Sequence, residues 1–401
     1  MVRWSASWQW QGIQARARSM CRLDSDGSSR RQTQCRACVD EGRSHRTAVS
    51  DPALTRCTQP TLGRRRWSTY TVLGFVGYVC ASALGAALGA VWELSLDERL
   101  LAMIGPPIAF LATVTIATAI KGREWIVFYQ ASFAVTATVV VGSLAIGGHT
   151  WRVLDVTTLG IGVFLGFGRL GCFHVACCHG RPARRGVRYG EAHVAAGFWA
   201  RWRGRPLFPI QLVESAATFA LVVIALVVST VPGRATIAYA LGYSLVRFAL
   251  ELWRGDPVRP YALGLSEGQW SSVTTAVACA IAWPAAWTVG AFGGVAIAAG
   301  ALALARQRRE LFLPPHLREL DRICEAVLAD PQHARRETRL GVGVSCHPLP
   351  DGRLDWVVSS KHPAWSAAAA RRIAGELWLD VELIEGRTAG VVHAIVGRAV
   401  A

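Results

Sequence analysis

A chain of 401 residues that is 52% hydrophobic and only 17% charged has fewer charges than soluble globular proteins, in which about a quarter of the residues are charged. Its formal net charge of +16 is typical of a protein that binds either nucleic acid or an anionic membrane surface. Long apolar segments favour the membrane and argue against a nucleic-acid partner. The eleven cysteines are scattered, unlike those of a disulfide-rich secreted domain.

Residues 1–69 form a basic segment with thirteen arginines, five acidic residues and no apolar periodicity. This composition predicts a disordered tail. No apolar run follows the early arginines, so we expect no signal peptide. Cys35 and Cys38 form a Cys-x-x-Cys motif that either binds zinc or occurs by chance. Chance is favoured, because the spacing to Cys21 and Cys57 is loose.

Residues 70–303 contain seven apolar stretches near the length of about 20 residues that a membrane-spanning helix needs. They are Tyr70–Trp92, Leu100–Ile120, Trp125–Ile146, Val153–Gly168, Pro209–Val231, Ala235–Leu252 and Trp270–Ala303. We therefore predict an all-α polytopic membrane domain with about seven transmembrane helices. The last stretch is long enough for one long or tilted helix.

Residues 304–401 differ in composition and predict a small soluble α+β domain. Four short stretches are typical of strands: Val342–Cys346, Leu354–Ser359, Leu379–Leu383 and Val391–Val396. An alanine-rich helix is predicted at Trp365–Leu377, and the segment contains no catalytic constellation.

Arg169 follows sixteen almost uncharged residues at the end of the fourth predicted span. A guanidinium there either reaches the membrane interface or faces a cavity that holds an anion, and its planar fork suits a phosphodiester. Gly168, Gly171 and Gly180 in the same segment allow the backbone to approach a ligand or a neighbouring helix closely.

Two further segments place polar side chains on helices. Gln211 and Glu214 lie three residues apart at the start of the fifth span, so both face one side. The sixth span carries polar residues at steps of four, four and three, which predicts one polar stripe made of Tyr243, Arg247, Glu251 and Arg254. Arg247 and Glu251 either pair to stiffen the bundle or serve a ligand. The second arginine favours an anionic ligand.

In this order the segments resemble the prolipoprotein diacylglyceryl transferase family. The family signature Gly-Arg-x-Gly-Asn-Phe-x-Asn-x-Glu-x-x-Gly aligns with Gly168–Gly180, and His-Pro-x-Gln-Leu-Tyr-Glu aligns with Phe208–Glu214. Tyr-x-x-x-Arg-Phe-x-x-Glu-x-x-Arg matches Tyr243–Arg254 at every named position. The resemblance covers about residues 70–300.

The resemblance implies an enzyme of the bacterial inner (plasma) membrane, with a site that opens outward and a cytoplasmic C-terminal domain. It implies transfer of a diacylglyceryl group from phosphatidylglycerol to the lipobox cysteine of a preprolipoprotein, with release of glycerol phosphate. Its partners would be these two substrates and membrane lipids, without a cofactor or a resident metal. Alternatives are a related transferase that uses another lipid or nucleophile, and a non-catalytic lipid-binding protein on the same scaffold.

By this resemblance Arg169, Arg247 and Arg254 hold the phosphate, Glu251 orients Arg247, and Tyr243 donates to a phosphate oxygen. The catalytic set is Arg169, Tyr243, Arg247 and Glu251. The substrate-binding set is Arg254, Gln211, Glu214, Gly168, Gly171, Gly180 and Tyr129.

The chain departs from the family pattern at the positions that the resemblance would assign to proton transfer. The usual histidine of the third span is Tyr129, the two signature asparagines are Cys172 and Val175, and the glutamate is Cys177. The replacements belong to a cluster of Cys172, His174, Cys177, Cys178 and His179. Four interpretations stay open: His174 or His179 as the general base, a zinc site, a Cys172–Cys177 disulfide, or plain packing.

Overall fold

The computed structural model describes residues 58–62, 67–122, 128–196, 198, 202–255, 261–307, 310–330, 332, 334–350, 353–377 and 381–396. The cysteines at 35 and 38 and most of the predicted tail lie outside the described residues. The chain divides into two compact units. The first takes in the described residues of 49–256 and 268–297, and the second those of 257–267 and 298–401.

The membrane part is mostly helical. Its elements are β1 (Thr61–Leu62), β2 (Trp67–Ser68), α1 (Thr69–Val91), α2 (Leu96–Lys121), α3 (Phe128–Ala145), α4 (Thr150–Val175), β3 (Pro182–Val187), α5 (Glu191–Ala195), α6 (Ile210–Val227), α7 (Arg234–Leu250), β4 (Tyr261–Ala262), β5 (Leu265–Ser266), α8 (Glu267–Ala282) and α9 (Ala286–Gln307). Among the described residues, α1, α2, α4, α6 and α9 are long and apolar enough to cross a membrane. The protein is therefore a membrane protein, and the count of seven spans stays a prediction.

The last apolar stretch differs from the expected single long helix. It contains two helices, α8 and α9, which are separated by residues 283–285. Pro284 lies in this break. Proline has no backbone N–H to donate and disfavours the helical conformation of the residue before it, so one continuous helix ends here.

Helix α4 lies at the centre of the first unit and packs against α1, α2, α3, α6 and α7. The buried share of its most apolar stretch is 56%, against 17% for α1 and for α2. Glycines permit this packing: a Cβ on Gly166 would lie 2.6 Å from the Phe219 ring. Asp155, Thr157 and Arg169 of α4 are buried within the protein.

Asp155 on α4 fixes the start of α7. Its carboxylate accepts hydrogen bonds of 2.8 Å from Gly233 N, Thr236 N and Thr236 Oγ1. These backbone amides belong to the first turn of a helix and have no partner within it, so a carboxylate from a neighbouring helix caps them. The contact sets the position of α7 along α4.

The arginine-rich segment between α4 and α6 is a folded cap and not an open loop. Strand β3 is bridged to Leu207 at both of its ends, Pro182 and Val187. A small apolar cluster fills the inside: Phe173, Ala176, Val187, Tyr189, Phe198, Trp202 and Leu207. This cluster holds the residues that follow α4 against the start of α6.

The C-terminal region is β-rich, as the sequence predicts. Its elements are a 3₁₀ turn (Glu310–Phe312), α10 (Pro314–Leu328), β6 (Arg336–Glu337), β7 (Val342–Pro348), β8 (Leu354–Ser360), α11 (Ala367–Leu377), β9 (Val381–Glu385) and β10 (Val392–Val396). The strands form one antiparallel sheet in the order β6-β7-β8-β10-β9. The sheet and helices α10 and α11 enclose an apolar core that includes Leu320, Trp356 and Ile373. Helix α10 and strand β6 were not predicted. The third predicted strand overlaps β9 at residues 381–383, and its first two residues lie outside the described part of the chain.

Candidate functional site

Five buried charged side chains alternate in sign through the interior of the first unit, and we call them the ionic chain: Arg169, Glu214, Arg247, Glu251 and Arg254. Arg169 Nε lies 3.1 Å from Glu214 Oε2, and Arg247 Nη1 lies 3.4 Å from Glu214 Oε1. Arg247 Nη2 also contacts Glu251, whose Oε1 lies 3.4 Å from Arg254 Nη1. Each glutamate therefore joins two arginines.

Three helices supply three of the five members of the ionic chain. Arg169 comes from α4, Glu214 from the first two turns of α6, and Arg247 from the last turn of α7. The predicted stripe is only partly helical, because α7 ends at Leu250. Glu251 and Arg254 belong to the turn that follows, and Arg254 forms a β-bridge with Gly180.

Two tyrosines hydrogen-bond to the ionic chain. Tyr243 OH donates to Glu214 Oε1 at 2.8 Å, and Tyr129 OH accepts from Arg247 Nε. Tyr129 stands where the family pattern has a histidine, and its phenol is bound to the central arginine. An unperturbed phenol has a pKa near 10, so this group is a hydrogen-bonding partner at neutral pH and a poor base.

The ionic chain has three positive and two negative members, so it carries one positive charge in excess. Burying ions costs several kcal/mol each, and alternation with opposite charges offsets this cost. A further anion would balance the set. The arrangement thus suits a phosphate group held by guanidinium forks.

Gly268 gives Glu251 the room to reach its arginines. A Cβ at this position would lie 2.8 Å from Glu251 Oε1, closer than carbon and oxygen atoms pack. Among the predicted glycines, Gly180 is pressed against the backbone of Phe208, and a Cβ on Gly171 would lie 3.0 Å from the Tyr70 ring. Gly168 has open space around it, so close packing does not explain that glycine.

A turn after α4 brings three cysteines together, and we call them the thiol cluster: Cys172, Cys177 and Cys178. Their Sγ atoms all lie within 4.8 Å of one another. Ala176 (φ 62°) and Cys178 (φ 51°) adopt left-handed backbone conformations, which reverse the chain after the helix. Non-glycine residues rarely adopt this conformation, and such strain is common at ligand sites.

The turn is anchored to neighbouring elements. Gln211 Nε2 on α6 donates to Cys177 O at 2.8 Å. Gly255 N donates to His179 O, and Arg181 N donates to Trp253 O, both at 2.9 Å. The thiol cluster is thus held beside the end of α7, where the ionic chain ends.

The positions of the cysteine and histidine side chains bear on the four interpretations of this segment. Cys172 and Cys177 are free thiols, so the disulfide is not formed in this structure. His174 Nδ1 accepts a hydrogen bond of 3.2 Å from Gln59 N, and the His179 ring packs against Phe198 and Trp202. Among the described residues no histidine joins the thiol cluster. The base role of either histidine stays a prediction.

A third histidine, His193, lies on α5 in the cap that follows α4. Its Nδ1 accepts a hydrogen bond from Gly190 N at 3.3 Å. Burial lowers the pKa of His193 below its ordinary value, because the charged ring would lose its hydration. A neutral ring at physiological pH is consistent with a packing role.

Tyr239 is a candidate that sequence analysis missed. Its ring stacks parallel to that of Tyr243 with centroids 6.1 Å apart. The hydroxyl is buried and makes no hydrogen bond to any residue within the described part of the chain. It lies four residues before Tyr243, so extending the stripe by one helical step would have found it.

An apolar cavity of about 320 Å³ lies between α1, α2, α3 and α4. Its lining includes Met103, Phe110, Ile161 and Phe164, with Pro106 and Pro107 on α2. A single sequence offers little signal for such a cavity, because its walls have the same composition as a lipid-facing surface. Its size and lining suit a hydrocarbon chain.

Comparisons with known proteins identify the family of this chain. A profile of the family described as prolipoprotein diacylglyceryl transferase matches residues 62–285. Phosphatidylglycerol–prolipoprotein diacylglyceryl transferase 2 of Clostridium perfringens is 29% identical over 153 residues, which cover 35% of this chain and 57% of the relative. Phosphatidylglycerol–prolipoprotein diacylglyceryl transferase of Clostridium tetani is 30% identical over 131 residues, which cover 31% and 50%. The chain thus spans about half the length of these curated relatives. Since the matched profile takes in more than half of the chain, the chain belongs to the prolipoprotein diacylglyceryl transferase family.

Proposed function

We propose that this protein transfers a diacylglyceryl group from phosphatidylglycerol to the lipobox cysteine of a preprolipoprotein and releases glycerol phosphate. The observation that carries the proposal is the ionic chain, which places three arginines and two glutamates inside a bundle of apolar helices. Ionisable residues within membrane helices are costly and typically mark substrate sites.

In the proposed reaction the acceptor sulfur attacks the glycerol carbon that bears the phosphate. A C–S bond forms and the C–O bond to the phosphate breaks, so the electron pair leaves with glycerol phosphate. Arg169, Arg247 and Arg254 stabilise the charge that accumulates on the phosphate oxygens. Preorganised positive groups of this kind usually supply the largest share of catalysis.

The remaining polar groups hold the arginines in place. Glu214 fixes the guanidinium groups of Arg169 and Arg247, and Glu251 fixes those of Arg247 and Arg254. Tyr243 is a donor to the headgroup once the lipid displaces its bond to Glu214. Gln211, Gly171 and Gly180 shape the wall next to the phosphate.

The apolar cavity takes one acyl chain of the donor. Its wall on α4 includes Ile161 and Phe164, which lie about two turns and about one and a half turns before Arg169 on the same helix. A lipid with its headgroup at Arg169 therefore has a place for hydrocarbon along the same helix.

The proposed location is the bacterial inner (plasma) membrane, with several membrane passages and the site opening outward. The seven-span topology and the cytoplasmic C-terminal domain follow the family resemblance and belong to this proposal. Both the topology and the location of the C-terminal domain can be measured by cysteine labelling. Single cysteines are placed in the segments between the predicted spans and in the C-terminal domain, and a membrane-impermeant reagent labels those on the outer side.

The decisive assay uses the purified full-length protein in vesicles that contain phosphatidylglycerol, together with a lipobox peptide. Glycerol phosphate release and the mass of the peptide are measured together, with a peptide whose cysteine is serine as the control. We expect both signals with the cysteine peptide and neither with the serine peptide. Bound lipid without release favours the non-catalytic lipid-binding protein, and lipid consumption without peptide modification favours a transferase with another acceptor.

A further inference from the structure

The thiol cluster has the geometry of a metal site. Its three Sγ atoms lie within 4.8 Å of one another. Zinc bound tetrahedrally at about 2.3 Å to each sulfur places pairs of sulfurs roughly 3.8 Å apart. Small side-chain rotations are therefore enough to close the three thiols around one ion.

The cluster is also built asymmetrically. Cys172 is buried in the last turns of α4, whereas Cys177 and Cys178 in the following turn are partly exposed. Three protein ligands leave the fourth position of a tetrahedral ion for another ligand. Zinc sites with three protein ligands and one open position are those that bind a substrate.

Three thiolate ligands favour zinc as the bound metal. Thiolates are soft ligands that favour zinc and copper(I) over magnesium, calcium and manganese. Thiol alkylation requires no electron transfer, and zinc has no redox chemistry of its own. Zinc also keeps a bound thiol in its deprotonated form, which is the nucleophilic form.

The cluster lies beside members of the ionic chain. Arg169 precedes Cys172 by three residues on α4, about one helical turn. The β-bridge between Gly180 and Arg254 ties the turn to the end of the ionic chain. Positive groups beside the sulfurs offset the net negative charge that three thiolates and one zinc ion carry.

We propose that Cys172, Cys177 and Cys178 bind one zinc ion, and that the acceptor cysteine of the substrate occupies its fourth position as a thiolate. This inference rests on the proposed function, because it supplies the nucleophile for that reaction. Neither Tyr129 nor Tyr243 is a base at neutral pH, and both site glutamates are paired with arginines.

The acceptor thiol gives its proton to water as its sulfur binds zinc. The bound sulfur then attacks the glycerol carbon, and the C–O electron pair leaves with the phosphate toward Arg169 and Arg254. The product is a thioether, which is a weak ligand for zinc and leaves the ion.

The test first removes the other cysteines that could bind zinc. The full-length chain is prepared with Cys21, Cys35, Cys38 and Cys57 replaced by serine, and its metal content is measured by mass spectrometry after incubation with zinc. We expect about one zinc ion per chain, and a cobalt-loaded sample with sulfur-to-cobalt charge-transfer absorption. The lipobox cysteine peptide should change this absorption, and the serine peptide should not.

Single variants locate the ligands. In the same background, Cys172→Ser, Cys177→Ser and Cys178→Ser should each bind zinc at least roughly tenfold more weakly. Cys279→Ser is the matched control, since Cys279 is a buried thiol on α8 outside the cluster. In case a variant does not insert, the unsubstituted protein is treated with a chelator. Transfer should fall at least roughly 100-fold and return with added zinc.

The outcomes separate this inference from the proposed function. Failure to bind zinc, equal zinc content in the three cluster variants and the control, or full transfer by zinc-free protein overturns the inference and leaves the transferase intact. A disulfide within the cluster of the zinc-treated protein overturns it as well. Zinc binding with a peptide-dependent cobalt spectrum but without transfer supports the metal site and overturns the proposed reaction.

Discussion

The two units of this protein distribute charge in opposite ways. The first buries the ionic chain and exposes large apolar side chains such as Phe75, Ile104 and Ile297. The second buries a core that includes Trp356 and has ion pairs that are exposed at both partners. Arg371 Nη2 lies 3.0 Å from Glu385 Oε1 with side chains that are 53% and 55% exposed. The expected surroundings explain why the two units differ in which side chains they expose. Apolar surface is favourable in contact with lipid, whereas polar surface is favourable in contact with water.

The same pairing of arginine and glutamate therefore has different meanings in the two units. An exposed pair contributes about 0–1 kcal/mol, since water screens it. A buried set costs free energy to form, and apolar side chains of similar volume are often as stable or more stable. The ionic chain is consequently expected to serve binding and chemistry, whereas the surface pairs of the second unit are expected to matter little.

The largest effect is expected for Arg247→Ala. This change removes the arginine that contacts both glutamates, and it should lower transfer by roughly 100- to 1,000-fold, in the range that loss of one oxyanion-stabilising donor costs. The vesicle assay for glycerol phosphate measures it. Arg234→Ala is the matched control, because Arg234 is an exposed arginine at the other end of the same helix. Equal activity of both variants would contradict a functional role for the ionic chain.

Trp356→Ala tests the second unit. Removing a buried indole should destabilise the sheet by about 3–5 kcal/mol, because the surrounding core cannot collapse fully into the space. Hydrogen exchange of peptides from residues 342–360 in the full-length protein measures this loss. Transfer should stay within twofold of the unsubstituted protein. A large loss of transfer with normal protein insertion would show that the second unit takes part in the reaction.

Gly268→Ala sharpens the comparison within the first unit. Its new Cβ would lie 2.8 Å from Glu251 Oε1 and would push this carboxylate away from its arginines. Misplacement of about 1 Å near the reacting groups costs roughly 100-fold, so we expect a decrease of 10- to 100-fold in transfer. Gly290→Ala on α9 is the control, since nothing lies within 4 Å of a Cβ there. Unchanged transfer in Gly268→Ala would show that the position of Glu251 is not critical.

His316 makes the stability of the second unit depend on pH. Burial lowers the pKa of His316, whose Nδ1 donates to Leu311 O at 2.7 Å and whose Nε2 lies 3.0 Å from Thr338 Oγ1. The unfolded histidine takes up a proton below about pH 6.5, and the folded one resists it. The stabilisation is therefore complete above that pH and is lost as the pH falls toward the folded pKa. Hydrogen exchange between pH 7.5 and 5 should reveal this slope, which His316→Gln should flatten and the exposed His347→Gln should not.

The smallest effect is expected for Arg371→Ala. Loss of the exposed pair with Glu385 should change the stability of the second unit by at most about 0.5 kcal/mol and leave transfer unchanged. The same exchange experiment measures it. A change above 1 kcal/mol would mean that surface pairs here are stronger than their exposure predicts, and the contrast between the two units would weaken.

The sequence by itself predicted the membrane class, the β-rich C-terminal region and the identity of all five residues that form the ionic chain. Apolar length, helical period and the cost of a charge among apolar residues are local properties, so Arg169 and the stripe from Tyr243 to Arg254 could be predicted from spacing alone. Pro284 was a local signal for the break between α8 and α9, and the prediction of a single last helix did not use it.

Only the tertiary structure decided how these groups meet. It placed Glu214 between Arg169 and Arg247, brought Tyr129 to Arg247, and gave Glu251 its space at Gly268. It also turned the chain at Ala176 so that the three cysteines converge. Each of these features depends on backbone reversal or on contacts between residues far apart in the chain. Local propensity does not encode such contacts, because they depend on how the helices pack against one another.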